Sequence, residues 1–134
     1  MRDSTRDCSR TGRILVADTG AFITGFTTYS GLPVATTPSV IEEVRDRESK
    51  ERLGLLEATG ALNVVEPPRH LVERVEREAR RAGLAGRLSR ADLEVLALAL
   101  YLGREGRVVV ASDDTAVRRL ARRLGIEVTG IRYK

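Results

Sequence analysis

The chain has 134 residues, 42% hydrophobic and 31% charged, with a net charge of +4 and one cysteine, Cys8. That length suits a single domain with one core. No apolar run reaches the ~18 residues of a membrane-spanning helix, and a lone cysteine excludes an internal disulfide or a cysteine-rich zinc site. All but two of the 23 Lys and Arg are arginine. Its planar fork suits phosphate as well as ion pairing along solvated helices, so charge alone leaves both readings open.

Residues 1–12 are polar, without the apolar stretch of a secretory signal, and are expected to form a flexible N-terminal tail. With the cysteine count, this points to a reducing, cytoplasmic setting. Residues 13–134 are expected to form the one folded domain. Arg13 to Ala17 is an apolar run stopped by Asp18-Thr19-Gly20, the pattern of a buried strand entering a turn. Ala21 to Phe26 suggests a short helix, and Val34-Ala35-Thr36 a second short strand.

Thr37-Pro38 announces a helix, with threonine at the cap and proline at the first helical position. Leu53, Leu55 and Leu56 supply the apolar side of the helix after it, and Ala61 to Val65 reads as a strand. Residues 69–82 are helical, with Leu71, Val72, Val75 and Ala79 as the inward stripe. The most apolar helix spans 90–102. Val108 to Ala111 is a core strand, Ser112-Asp113-Asp114 caps a helix over 114–124, and Ile126-Glu127-Val128 is a last strand. Strands alternating with helices predict an α/β fold with a central parallel sheet covered on both faces.

In such sheets ligands gather beyond the carboxyl ends of the strands. Asp18 follows the first strand directly, and Asp113 and Asp114 follow Val108–Ala111 in the same way. Glu43 and Asp92 lie on helices whose ends can reach that edge. Clustered carboxylates repel one another, and a divalent cation relieves the repulsion. Hard oxygen donors select Mg²⁺ or Mn²⁺. An acid cluster on a basic protein is the arrangement expected of an enzyme that cuts nucleic acid.

Each acid also has a structural reading. Asp18 suits an N-cap, Ser39-x-x-Glu42 makes a capping box that removes Glu42 from the cluster, and Ser89-x-x-Asp92 makes another. Asp113 is the natural cap of the helix that follows it, which leaves Asp114 freer to ligate. Asp18, Glu43, Asp92 and Asp114 are therefore the expected set. Other templates fail: His70 is the only histidine and stands apart from the acids, so no Ser-His-Asp or Cys-His pair has its base. No GxxxxGK[ST] loop is present, and Gly12, Gly20 and Gly25 make no dinucleotide fingerprint.

Four segments, ILVADTGAFITG, TTPSVIEEVRD, LSRADLEVLALAL and VVVASDDTAVRRLARRLGIEV, occur in the order found in PIN-domain nucleases. The chain resembles that family over roughly residues 13–132. VIEEVRD, LSRADLEVLALAL and the doubled aspartate of SDDTAV look most like the NOB-type branch, endoribonucleases that mature the 3′ end of small-subunit ribosomal RNA. The resemblance implies a PIN-like (RNase H-like) three-layer sandwich and Asp18, Glu43, Asp92 and Asp114 as ligands of Mg²⁺ or Mn²⁺. Asp113 is implied as an auxiliary acid, with Thr19 or Ser112 hydrogen-bonding the ligand shell.

Arg118, Arg119, Arg122 and Arg123 are expected to contact the RNA backbone or to form a solvated face. NOB-type proteins carry a zinc ribbon that a one-cysteine chain is expected to lack. The implied partner is RNA, in the first reading pre-rRNA of the small subunit. A second reading is a VapC-type toxin with an antitoxin partner, and a third a catalytically silent RNA-binding module. A homodimer is a further expectation from the family.

Overall fold

The computed structural model describes residues 12–131, so the expected tail, with Cys8, and the final residues 132–134 lie outside the described residues apart from Gly12. Strand β1, Arg13–Ala17, is buried at three consecutive positions, Leu15, Val16 and Ala17. Successive strand residues face opposite sides, so both faces of the sheet are covered at this strand. The same holds for β2, Val34–Thr36, and for the end of β4, Arg107–Ala111. Strands β3, Leu62–Val64, and β5, Val128–Thr129, complete a five-stranded sheet in the order β3-β2-β1-β4-β5, with every pairing parallel. Helices flank this sheet, the expected three-layer α/β arrangement.

The chain turns in opposite directions from β1, to β2 on one side and β4 on the other, so the topological switch lies between β1 and β4. Their register pairs Ala17 with Ala111. The residues immediately after each strand, Asp18 and Ser112, therefore emerge side by side at the carboxyl edge, where α/β folds bind ligands.

Helix α3, Pro38–Glu43, starts as the sequence predicts, with Thr37 accepting from the Val40 amide and proline in the first turn. Helix α5, Arg69–Arg81, buries the expected stripe of Leu71, Val72, Val75 and Ala79. Helix α6, Arg90–Leu102, packs against β1, β4, α3 and α5. Its five consecutive residues Val95 to Ala99 are all buried, as expected of a helix surrounded by protein. Each large apolar side chain so buried stabilises the fold by roughly 1.5–3 kcal/mol.

Several expectations need correction. The predicted helix over Ala21 to Phe26 is two helices, α1 at Thr19–Ile23 and α2 at Phe26–Ser30. Asp18 caps α1 early by accepting from the Ala21 amide, and Gly25 at φ +82 breaks the run with a left-handed residue. On α4, Arg47–Ala58, Leu53 points inward and Leu56 is partly buried, whereas Leu55 is 65% exposed. The last strand begins at Val128 and not at Ile126. Helix α7, Thr115–Arg123, ends in a Schellman motif in which the Gly125 and Ile126 amides bond back to Arg122 and Ala121. Ile126 therefore closes the helix, and ladder pairing waits until Val128.

Candidate active site

The carboxyl edge is built from four local devices. At the end of β1, the Asp18 carboxylate accepts from the Ala21 amide at 2.9 Å, and the nearby Ser112 hydroxyl favours its charged form. At the end of α3, Glu43 is exposed and accepts from the Thr19 hydroxyl at 2.6 Å. At the start of α6, Asp92 accepts from the Ser89 amide at 2.9 Å while the Ser89 hydroxyl accepts from the Asp92 amide at 3.1 Å. At the start of α7, Asp114 accepts from the Val117 amide at 3.0 Å. Its own amide donates to the Ser112 hydroxyl at 3.1 Å.

Capping and clustering are thus compatible. A carboxylate offers about four acceptor sites, and a cap uses one of them. The three aspartates also lie at helix N-termini, where the peptide dipoles favour negative charge.

The four acids feel one another. Burial pushes the Asp18 carboxyl above its usual range; the Ser112 hydroxyl and the Ala21 bond pull against this, and repulsion from Asp92 and Asp114 adds to it. Burial likewise pushes Asp92 up, opposed by its two bonds to Ser89 and reinforced by repulsion from Asp114 and Glu43. Asp92 is therefore within Coulomb reach of all three other acids. Among the described residues no three acids close into a tight chelating group. The donor set fits a hard cation that keeps several waters and takes only one or two carboxylates directly.

The expected division of labour between Asp113 and Asp114 is reversed. Asp114 is the N-cap of α7, while Asp113 accepts from the Ile131 amide at 2.9 Å and so ties down the chain after β5. Gly130 permits this approach: a Cβ there would lie 2.9 Å from the same Asp113 oxygen. The Ser39-x-x-Glu42 capping box does not form either. Thr37 is the cap, and the Ser39 hydroxyl instead donates to Glu94 of α6 at 2.5 Å.

The arginines of α7 divide. Arg118 is half-buried and donates to the Ser112 carbonyl at 3.1 Å, and Arg123 pairs with Glu78 of α5 at 2.5 Å. Arg119 and Arg122 are exposed. Pattern reading missed two residues that shape this edge. Arg52 of α4 donates to the Phe22 and Ile23 carbonyls at the end of α1, and no local signal announces it. Glu94 carries one signal, a glutamate on the most apolar helix.

The family model for the PIN domain of ribonuclease matches residues 15–102, the stretch that supplies Asp18, Glu43 and Asp92. The chain belongs to the PIN-domain ribonucleases. The five-stranded parallel sheet between helices agrees with the PIN, RNase H-like fold expected from the sequence.

Among known relatives, Ribonuclease VapC3 of Aeropyrum pernix is 55% identical over 100% of this chain and 98% of its own length. Endoribonuclease Nob1 of Pyrococcus abyssi is 42% identical over 84% of this chain and 65% of its own length. The 20S-pre-rRNA D-site endonuclease NOB1 of Saccharomyces cerevisiae is 31% identical over 67% of this chain, which spans 20% of it. The expected membership of the PIN endoribonucleases is borne out, and such ribonucleases generally use divalent metal ions.

Proposed function

We propose that this PIN-domain endoribonuclease cuts single-stranded RNA with Mg²⁺ or Mn²⁺ as the ion and Asp18, Glu43, Asp92 and Asp114 as the acids around it. One or two of these bind it directly and the others through its waters. The observation that carries the reading is the position of Asp92, partly desolvated and repelled by the other three carboxylates. Such an arrangement is costly unless a cation offsets it. When bound, the ion supplies Lewis-acid chemistry at the scissile phosphodiester, activating water and stabilising negative charge. Thr19 orients Glu43, and Ser112 orients Asp18. Asp113 serves as an auxiliary acid at the margin, since one of its oxygens already holds Ile131. Arg119 and Arg122 face solvent and engage backbone phosphates.

The test is a pair of variants, Asp18→Asn and Asp92→Asn, assayed on single-stranded RNA with Mn²⁺. Both are expected to retain the fold, lose cleavage and lose the thermal stabilisation that a bound ion gives by mass action. Unchanged cleavage in both would sink the assignment. A wild-type protein that shows no Mn²⁺ stabilisation would favour a silent RNA-binding module.

For the substrate, similarity to Endoribonuclease Nob1 and to the yeast pre-rRNA endonuclease supports a precursor of small-subunit ribosomal RNA. Similarity to Ribonuclease VapC3 along nearly the whole of both chains supports a second reading, a toxin ribonuclease held by an antitoxin. Cleavage of a defined small-subunit precursor at its 3′ end favours the first. Co-purification of a small antitoxin that suppresses cleavage favours the second. A cytoplasmic homodimer forms part of either proposal, checked by fractionation and solution mass.

A further inference from the structure

We propose that Glu94 is a positioning residue, which through Ser39 sets how far Glu43 stands from Asp92. The inference rests on the reading that Glu43 and Asp92 serve one metal site. Ser39 and Glu43 lie four residues apart on α3 and so share one face, a helical turn apart. α3 packs against α6, which carries both Asp92 and Glu94.

The two levels of this helix pair behave oppositely. At one, the Ser39 hydroxyl donates to Glu94 Oε1 at 2.5 Å. At the other, Glu43 and Asp92 repel each other. α3 has only six residues, too short to hold its own direction, so its tertiary contacts decide where its last residue points. The Ser39–Glu94 bond pulls together the pair of helices that Glu43 and Asp92 push apart.

Glu94 is an unusual choice for this place unless it has such a task. It is 6% exposed on a helix whose next five residues are all buried and apolar. A carboxylate there is costly unless both oxygens are held. One is held by Ser39, and the other lies 3.2 Å from Arg90 Nε, one turn back on the same helix. No cap or turn requires it: Ser89 and Asp92 already cap α6.

The experiment compares Ser39→Ala, Ser39→Thr, Glu94→Gln and Glu94→Met in the full chain. Mn²⁺ alone is titrated against melting temperature, and cleavage is measured as kcat and KM separately. Ser39→Ala and Glu94→Met remove the bond from either helix; each is expected to raise the Mn²⁺ midpoint and lower kcat by about 10-fold, with KM for RNA unchanged. Ser39→Thr and Glu94→Gln keep donor and acceptor and are expected to stay within about twofold of the parent. A purely structural bond would lower the metal-free melting temperature alone, and that result from either disrupting variant overturns the proposal. Asp92→Asn is the control: if it abolishes cleavage while Ser39→Ala and Glu94→Met are silent, only the positioning role falls. If Asp92→Asn is silent too, the site reading falls with it.

Discussion

Asp18 and Ser112 stand side by side at the ends of two neighbouring parallel strands, where the serine hydroxyl favours the charged form of the aspartate. The placement follows from register. Ala17 pairs with Ala111, so the next residue of each strand arrives at the same height. Ser112 is fully buried, and its hydroxyl also accepts from the Asp114 amide. One side chain thus joins two of the candidate metal-holding acids, from opposite ends of the sequence.

Ser112→Ala should therefore weaken the site without dismantling the fold. It removes a hydroxyl that counteracts the desolvation of Asp18, pushing that carboxyl further up. The expected stability loss is about 1 kcal/mol, the usual net worth of one hydrogen bond. Apparent Mn²⁺ affinity should fall by roughly 10-fold or more, as for other outer-shell partners. Chemical denaturation and a Mn²⁺ titration check the two numbers separately; an unaltered metal midpoint would contradict the role.

In the metal-free protein, Asp18 and Asp92 should contribute a loss of stability as pH rises through the acid range. Burial first, then repulsion, holds Asp18 and Asp92 above the usual carboxylate range. Between the unfolded value and that raised native value the native state binds more protons, so unfolding becomes easier as pH increases. This contribution is fully favourable below the unfolded value and is gone above the raised one. Asp18→Asn keeps a capping side chain and should gain melting temperature relative to the parent as pH rises, measured without metal. A pH profile parallel to that of the parent would argue against it.

Glu78 has the opposite sign. The Arg123 guanidinium on its carboxylate is the main cause holding it below the usual range, and Arg81 assists. The resulting stability is present above the unfolded value and lost as pH falls through the depressed native one. Glu78→Gln should lower the melting temperature at neutral pH, with the gap to the parent closing on acidification. The pair is surface-exposed, so added salt should shrink the gap as well.

The arginines of α7 should separate in function. Arg119 and Arg122 are exposed, so Arg119→Ala with Arg122→Ala should raise KM for RNA and make binding less sensitive to salt. The salt slope should fall by about 1 for each phosphate no longer neutralised. Arg118 donates to the Ser112 carbonyl, so Arg118→Ala should cost stability as well. Binding measured from about 50 to 200 mM salt, beside melting curves, distinguishes them. Equal salt slopes in parent and double variant would remove these two residues from the RNA surface.

Much of this protein was decided by sequence alone. Strands β1 and β4 end in apolar runs, followed directly by Asp18 in one case and by Ser112-Asp113-Asp114 in the other, so Asp18 and Asp114 are legible as carboxylates at strand ends. Thr37-Pro38 and Ser89-x-x-Asp92 cap the helices they announce, because a cap joins residues within one turn. Local pattern failed where two partners compete for one side chain. Ser39 answers Glu94, 55 residues away, and not Glu42; Asp113 answers Ile131, 18 residues away, and leaves the cap to Asp114. Arg52 reaches the Phe22 carbonyl 30 residues back. Tertiary structure decided these because helix packing and strand register bring remote donors within hydrogen-bonding distance, and a short-range pattern carries no record of that distance.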